Sequence, residues 1–225
     1  MEYNRIIVAL DGIDDQGALA LVDRLAGGVR HYKIGLELFT RHGPKLVDQV
    51  RSKGKEVFLD LKFHDIPATV AGAVRAACEA KPSMLTLHAA GGPAMIEAAV
   101  AARGDRQVKI LAVTVLTSSE GDEVPSRVLD LARRSQDSGA DGVVASALEA
   151  RAIKETLGRE FLVVTPGIRP AGADRHDQAR VATPAEAIAS GADFLVVGRP
   201  VTKAHDPLAA LEGILVEISS GGRPS

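Results

Sequence analysis

The chain has no tryptophan, only two tyrosines and five phenylalanines, and one cysteine among its 225 residues. So few aromatic rings leave little surface for stacking bases, and a formal net charge of -2 with both signs interspersed offers no basic field for a phosphate backbone. Nucleic acid is therefore not an expected partner. No apolar run approaches the roughly 18 residues that would suggest a membrane span, and Met1 to Arg5 leads straight into an apolar strand without the features of a signal peptide. A membrane partner is not expected either. Cys78 cannot form an internal disulfide, which suits a reducing cytoplasm. It lies in an Ala-rich helical pattern, Ala71 to Ala80, and is expected to be a small packed residue rather than a nucleophile.

The chain also lacks a linker: no proline-rich or low-complexity segment marks a domain boundary, and only Ser219 to Ser225 reads as a frayed tail. A single domain over residues 1–218 is expected. Within it, short β-rich runs recur at Arg5 to Leu10, His31 to Gly35, Glu56 to Asp60, Met84 to His88, Lys109 to Val115, Asp141 to Val144, Phe161 to Thr165 and Asp193 to Val197. Each is followed by a stretch with an apolar helical stripe: Gly17 to Leu25, Pro44 to Lys53, Ala68 to Ala80, Pro93 to Ala102, Val124 to Ser138, Ala147 to Leu157, Thr183 to Ser190 and Pro207 to Ile218. Strands alternating with helices imply right-handed crossovers and a parallel sheet, and eight such units predict an α/β fold of the (β/α)8 TIM-barrel type. A doubly wound open sheet is the alternative. Thr183-Pro184-Ala185-Glu186 resembles a capping box, and Gly139 and Gly191 follow helices where a left-handed cap needs glycine.

In a barrel of this kind, function sits at the C-terminal strand ends. Polar residues gather there: Asp11 after the first strand, Lys33 on the second, Asp60 and Lys62 on the third, His88 on the fourth, Thr117 beyond the fifth, Pro166-Gly167-Ile168-Arg169 beyond the seventh, and Gly198-Arg199 beyond the eighth. The densest stretch is Asp60-Leu61-Lys62-Phe63-His64-Asp65-Ile66-Pro67. In an extended chain Asp60 and Lys62 share a face, Leu61 turns to the other, Asp65 lies in the loop beyond, and Pro67 suits the first turn of the next helix. Lys33, Asp60, Lys62 and Asp65 are expected to alternate in sign inside one pocket, each fixing its neighbour through Coulomb terms of about 4 kcal/mol at about 4 Å and an effective dielectric near 20. Such an array can hold an ammonium against a developing carbanion and then deliver a proton.

Gly198-Arg199 offers close backbone approach and a guanidinium fork, which suits phosphate oxygens, and Arg169 and Gln178 could close over the same group. Asp11 could accept a hydrogen bond from a sugar hydroxyl, although a turn with Gly12 explains it equally well. Asp60 and Asp65 could join Glu37 around Mg2+. Two lysines beside them already neutralise the carboxylates, and the histidines show no zinc spacing, so no metal is expected.

Together these residues resemble the orotidine 5'-phosphate decarboxylase family from the first strand to the last. The match comprises Val8-Ala9-Leu10-Asp11, Lys33-Ile34-Gly35, Asp60 to Pro67 with Thr69, Leu116-Thr117-Ser118, Thr165-Pro166-Gly167-Ile168-Arg169, Gln178 and Val197-Gly198-Arg199. The resemblance implies cofactor-free loss of CO2 from orotidine 5'-phosphate to give UMP, the last step of de novo pyrimidine synthesis. It implies that Lys62 stabilises and protonates the C6 carbanion, that Asp60 lies against the departing carboxylate, that Lys33 and Asp11 contact the ribose, and that Thr117 contacts the pyrimidine. Arg169, Gln178, Gly198 and Arg199 would hold the phosphate, with Ile66, Thr69 and Pro166 as further substrate contacts. Asp65 would reach the neighbouring subunit's site in a homodimer. Two other readings stand beside this one. A metal-dependent sugar-phosphate decarboxylase or aldolase shares the Asp-x-Lys-x-x-Asp pattern but lacks a lysine at position 33, and a non-catalytic barrel would merely bind a phosphorylated ligand.

Overall fold

The computed structural model describes residues 2–116, 121, 123–170 and 180–221. After a 3-10 turn at Glu2–Arg5, the order is β1 (Ile6–Ala9), α1 (Asp15–Arg24), β2 (His31–Gly35), α2 (Leu36–His42), α3 (Pro44–Ser52), β3 (Glu56–Phe63), α4 (Pro67–Glu79), β4 (Met84–His88), a 3-10 turn at Ala89–Gly91 and α5 (Pro93–Arg103). Then come β5 (Lys109–Val113), α6 (Val124–Asp137), β6 (Gly142–Val144), α7 (Ala147–Leu157), β7 (Leu162–Thr165), α8 (Pro184–Ala189), β8 (Phe194–Val197), α9 (Arg199–Thr202) and α10 (Pro207–Gly221). The strands pair in chain order, and β8 returns to β1 through Ile7 opposite Val196, so the sheet is a closed parallel barrel. The fold is the (β/α)8 TIM barrel, not the open sheet. Among the described residues no helix is long and apolar enough to cross a membrane.

Period-two alternation divides each strand between two apolar layers. Ile7, Ala9, Phe58, Met84, Leu111, Val164 and Val196 fill the barrel interior, while Ile6, Val8, Tyr32, Ile34, Val57 and Leu59 pack outward against the helices. Because both faces are buried, the strands read as continuous apolar runs rather than alternating ones. His31 lies edge-on to Phe194 at 5.3 Å, and burial pushes its pKa down to about 4.

Strands β1, β6, β7 and β8 begin one residue later than the sequence suggests, and for β6 and β8 the reason is a repeated tetrapeptide, Ser-Gly-Ala-Asp, at 138–141 and 190–193. Gly139 (φ 84) and Gly191 (φ 99) close the preceding helices in the left-handed region, as expected. The aspartate then acts as a clamp instead of a strand residue. Asp141 accepts the Ile110 N–H at 2.8 Å and a bond from Arg103 of α5 at 2.5 Å; Asp193 accepts the Val163 N–H at 2.7 Å and a bond from Lys154 of α7 at 2.6 Å. One side chain thus satisfies a donor near the start of the neighbouring strand and pins the helix that precedes that strand.

The capping box of α8 is present, with Thr183 N–H donating to Glu186 at 2.9 Å and Glu186 N–H donating to Thr183 Oγ1 at 3.2 Å. Two helices have no counterpart in the sequence reading. Helix α2 follows β2 without a loop and ends at Gly43 (φ 59), immediately before Pro44, so it is too short to show a full apolar stripe. Helix α9 is a single turn after Gly198. The C-terminal boundary also shifts, since α10 runs to Gly221 and the Ser219 and Ser220 hydroxyls donate back to the carbonyls of Leu215 and Val216. Residues 219–221 are therefore helical rather than tail.

Candidate active site

The inward positions toward the C-terminal ends of β1 to β3 carry charge instead of apolar bulk. Lys33 Nζ pairs with the Asp11 carboxylate and lies 3.2 Å from Asp60 Oδ2; Lys62 Nζ lies 2.7 Å from the same oxygen. The result is a chain of alternating sign, Asp11–Lys33–Asp60–Lys62. Burial works against both charges at its centre, but the neighbours outweigh it. Asp60 and Asp11 hold the Lys33 pKa above the ordinary lysine value, while Lys33, Lys62 and hydrogen bonds from Lys62 and Thr86 hold the Asp60 carboxyl below its own. Both groups stay ionised and in place.

Lys62 reaches this position by an unexpected route. Strand β3 continues past Asp60 to Phe63, so Lys62 is part of the strand and not of the loop after it. Its φ is 50, in the left-handed region, a conformation that costs a residue with a side chain on the order of 1–3 kcal/mol. The ladder to β4 shifts between Leu59 and Phe63. Asp60 and Lys62 do face the same side and Leu61 is buried in the outer apolar layer, but a bulge produces that arrangement, not simple alternation.

The charges floor a pocket of about 130 Å3 whose walls are apolar: Val113, Leu116, Val144, Pro166 and Val196. Such a site can bind a flat, largely uncharged ring while its floor presents an ammonium beside a carboxylate. His88, half-buried near the rim, is 5.4 Å from the His64 ring, and burial, then His64 and Lys62, lower its pKa.

One expectation about this cluster is overturned. Asp65 does not alternate with the other charges in the pocket; it is exposed, and its carboxylate accepts the N–H of Ile66 at 2.6 Å. The strand ends at Phe63, and the next two residues carry the chain outward over the rim. Ile66 (66% exposed), Pro67 and Thr69 sit outside with it. Across the mouth, Arg169 is buried and donates to the Ile168 carbonyl at 2.9 Å, Pro166 lines the pocket, and Gly198 with Arg199 forms the start of α9. Thr117 and Gln178 lie outside the described residues.

Three contributors were assigned no role from the sequence. Thr86, completely buried on β4, donates to Asp60 Oδ1 at 3.0 Å and accepts the Lys62 N–H at 2.9 Å. Its inward position could have been counted off by twos from Met84, but nothing marked it as polar support. Gly35 matters for what it lacks, since a Cβ there would stand 2.2 Å from Asp11 Oδ1. Arg180 forms a buried ion pair with Glu149 at 2.5 Å, and its other nitrogen donates to the carbonyls of Val115 and Leu116 at 3.3 and 3.2 Å. Burial raises the Glu149 pKa despite that arginine. No local pattern links residues so far apart in sequence. Val115 and Leu116 line the pocket, so the pair braces one of its walls.

Residues 4–214 match the family model described as Orotidine 5'-phosphate decarboxylase / HUMPS family. The chain is similar to the orotidine 5'-phosphate decarboxylase of Shewanella sediminis, 51% identical with 99% of this chain and 100% of the relative covered. That of Moorella thermoacetica is 50% identical, with 96% and 92% covered. Among solved structures, the orotidine 5'-phosphate decarboxylase of Lactobacillus acidophilus superposes with a TM-score of 0.82 at 37% identity, covering 96% of this chain and 99% of that one.

Proposed function

The chain belongs to the orotidine 5'-phosphate decarboxylase / HUMPS family, and from that membership we propose that it converts orotidine 5'-phosphate to UMP and CO2 without a cofactor. The observation that carries this reading is a carboxylate, Asp60, held between two ammonium groups beneath apolar walls. With the pyrimidine between those walls, the substrate carboxylate lies against Asp60, a like charge, and beside Lys62. The C6–carboxyl bond breaks, its electron pair stays on C6, and CO2 leaves. The Lys62 ammonium stabilises that pair and then transfers a proton to C6, after which solvent reprotonates the amine. Lys33 and Asp11 hold the ribose, Thr117 the pyrimidine, and Ile66, Thr69 and Pro166 border the substrate. Arg169, Gln178, Gly198 and Arg199 hold the phosphate, in the region where barrels of this type commonly place one. Charges fixed in position before reaction need no reorganisation as the carbanion develops, which makes them effective in a site that excludes water.

The reading extends to a homodimer in which each Asp65 serves the partner's pocket. Asp65 is exposed, and the exposed apolar side chains of Ile66, next to it in the chain, and of Leu36, at the start of α2, favour burial against a second copy. A cytoplasmic setting is part of the same reading, and the one free, buried thiol of Cys78 suits it.

The deciding assay follows the absorbance of orotidine 5'-phosphate with EDTA present. Undiminished turnover is expected; loss on chelation with recovery on adding Mg2+ would favour the metal-dependent sugar-phosphate reading, and no turnover by folded protein would sink the decarboxylase. Gly35→Ala tests the geometry beneath it. The glycine's φ of -91 is open to any residue, so the cost is steric: the new Cβ would force Asp11 away from Lys33. A displacement near 1 Å should lower kcat/KM about 10²-fold, with melting temperature almost unchanged. Wild-type kinetics would show that the Asp11–Lys33 contact is dispensable.

A further inference from the structure

Between the register Leu59 opposite Leu85 and the register Phe63 opposite Leu87, β3 advances four residues while β4 advances two. Two extra residues on β3 must therefore be absorbed opposite Thr86. At Lys62 the Thr86 hydroxyl stands in for a main-chain partner: Oγ1 accepts the Lys62 N–H and donates its own hydrogen to Asp60 Oδ1. The geometry points to Thr86 as a positioning residue that holds Lys62 in its left-handed conformation and aims the Asp60 carboxylate, so that both reacting-site charges depend on one buried hydroxyl. This rests on the decarboxylase reading above. A hydroxyl has one hydrogen to give and lone pairs to receive, so a single group serves both residues. Valine has nearly the same shape and can do neither.

The charged and titratable groups facing Asp60 are Lys33 from β2, Lys62 from β3 and His88 at the end of β4. Of the partners that favour its ionised form, Thr86 is the neutral one, and replacing it with valine changes no formal charge in the cluster. Loss of the bond therefore has a specific sign. The Asp60 pKa rises, the carboxylate is protonated earlier as pH falls, and the acid limb of the pH–rate profile moves to higher pH.

The experiment compares Thr86→Val and Thr86→Ser with the wild type. Thr86→Val should keep its melting temperature within a few degrees and bind UMP within about threefold, while kcat falls roughly 10- to 100-fold, the range expected for losing a buried hydrogen bond to a charged group. Thr86→Ser should restore kcat and the acid limb together. Carbon NMR of the Asp60 carboxyl in the free protein reads the same bond without substrate, and its titration should move up in Thr86→Val but not in Thr86→Ser. A Thr86→Val enzyme with wild-type kcat and an unmoved Asp60 titration would overturn the inference, as would activity lost only in proportion to folded protein with no rescue by serine. Should wild-type protein fail to turn over orotidine 5'-phosphate, the decarboxylase reading falls, and the Asp60 titration by itself still decides what Thr86 does.

Discussion

Lys62→Ala should lower turnover of orotidine 5'-phosphate by on the order of 10⁴-fold or more, because one substitution removes both the proton donor and the charge facing the developing carbanion. UMP binding should persist, since Lys33, Asp11, Arg169, Gly198 and Arg199, proposed for ribose and phosphate, lie on or after other strands. The fold should persist too: Asp60 retains Lys33 at 3.2 Å and the Thr86 hydrogen bond, so its carboxylate is not left buried without a partner. Lys62→Arg separates the two roles. A guanidinium supplies positive charge but does not give up a proton at neutral pH, so this variant should also be slow while binding anionic ring analogues better than alanine does. Steady-state kinetics with isothermal titration of UMP measure the split. Near-normal turnover by Lys62→Ala would refute its role as donor.

The second large effect concerns Asp65. In the proposed homodimer, Asp65→Ala should lose roughly 10²- to 10³-fold in kcat, the scale seen when a group that orients and stabilises the reacting charge is removed. Mixed with Lys62→Ala protein under conditions that allow exchange, it should recover activity. In a hybrid dimer one pocket combines an intact Lys62 with the partner's intact Asp65, and the other pocket lacks both. Random pairing makes half the dimers hybrid, so about a quarter of wild-type activity should return for a two-fold symmetric dimer with shared sites. Absence of recovery, with exchange demonstrated by mass spectrometry, would place Asp65 outside the partner's site.

These two residues also show where sequence reasoning stopped. Lys62 was identifiable because a lysine two positions after an aspartate on a strand end is chemically conspicuous, and it is where expected. How it gets there was not legible. A left-handed lysine at a two-residue bulge leaves no local mark, because the bulge exists only relative to the register of β4. Asp65 was conspicuous for the same reason as Lys62 but is exposed beyond the strand. Sequence proximity says nothing about which side of the barrel rim a loop residue will face.

What the sequence determined by itself was the periodic part of the molecule. Apolar runs buried on both faces set the eight strands, amphipathic stripes and caps such as Thr183–Glu186 set most of the helices, and the types of residue at the strand ends set the chemistry. Such signals are local, arising from contacts within a few residues or from burial that every unit shares. Tertiary structure decided the rest: that Thr86 would support both Lys62 and Asp60, that Gly35 would leave room for Asp11, and that Arg180 would brace a pocket wall with Glu149. Each depends on side chains from different strands or loops meeting at distances of a few ångströms, and closure of the barrel is what brings them together.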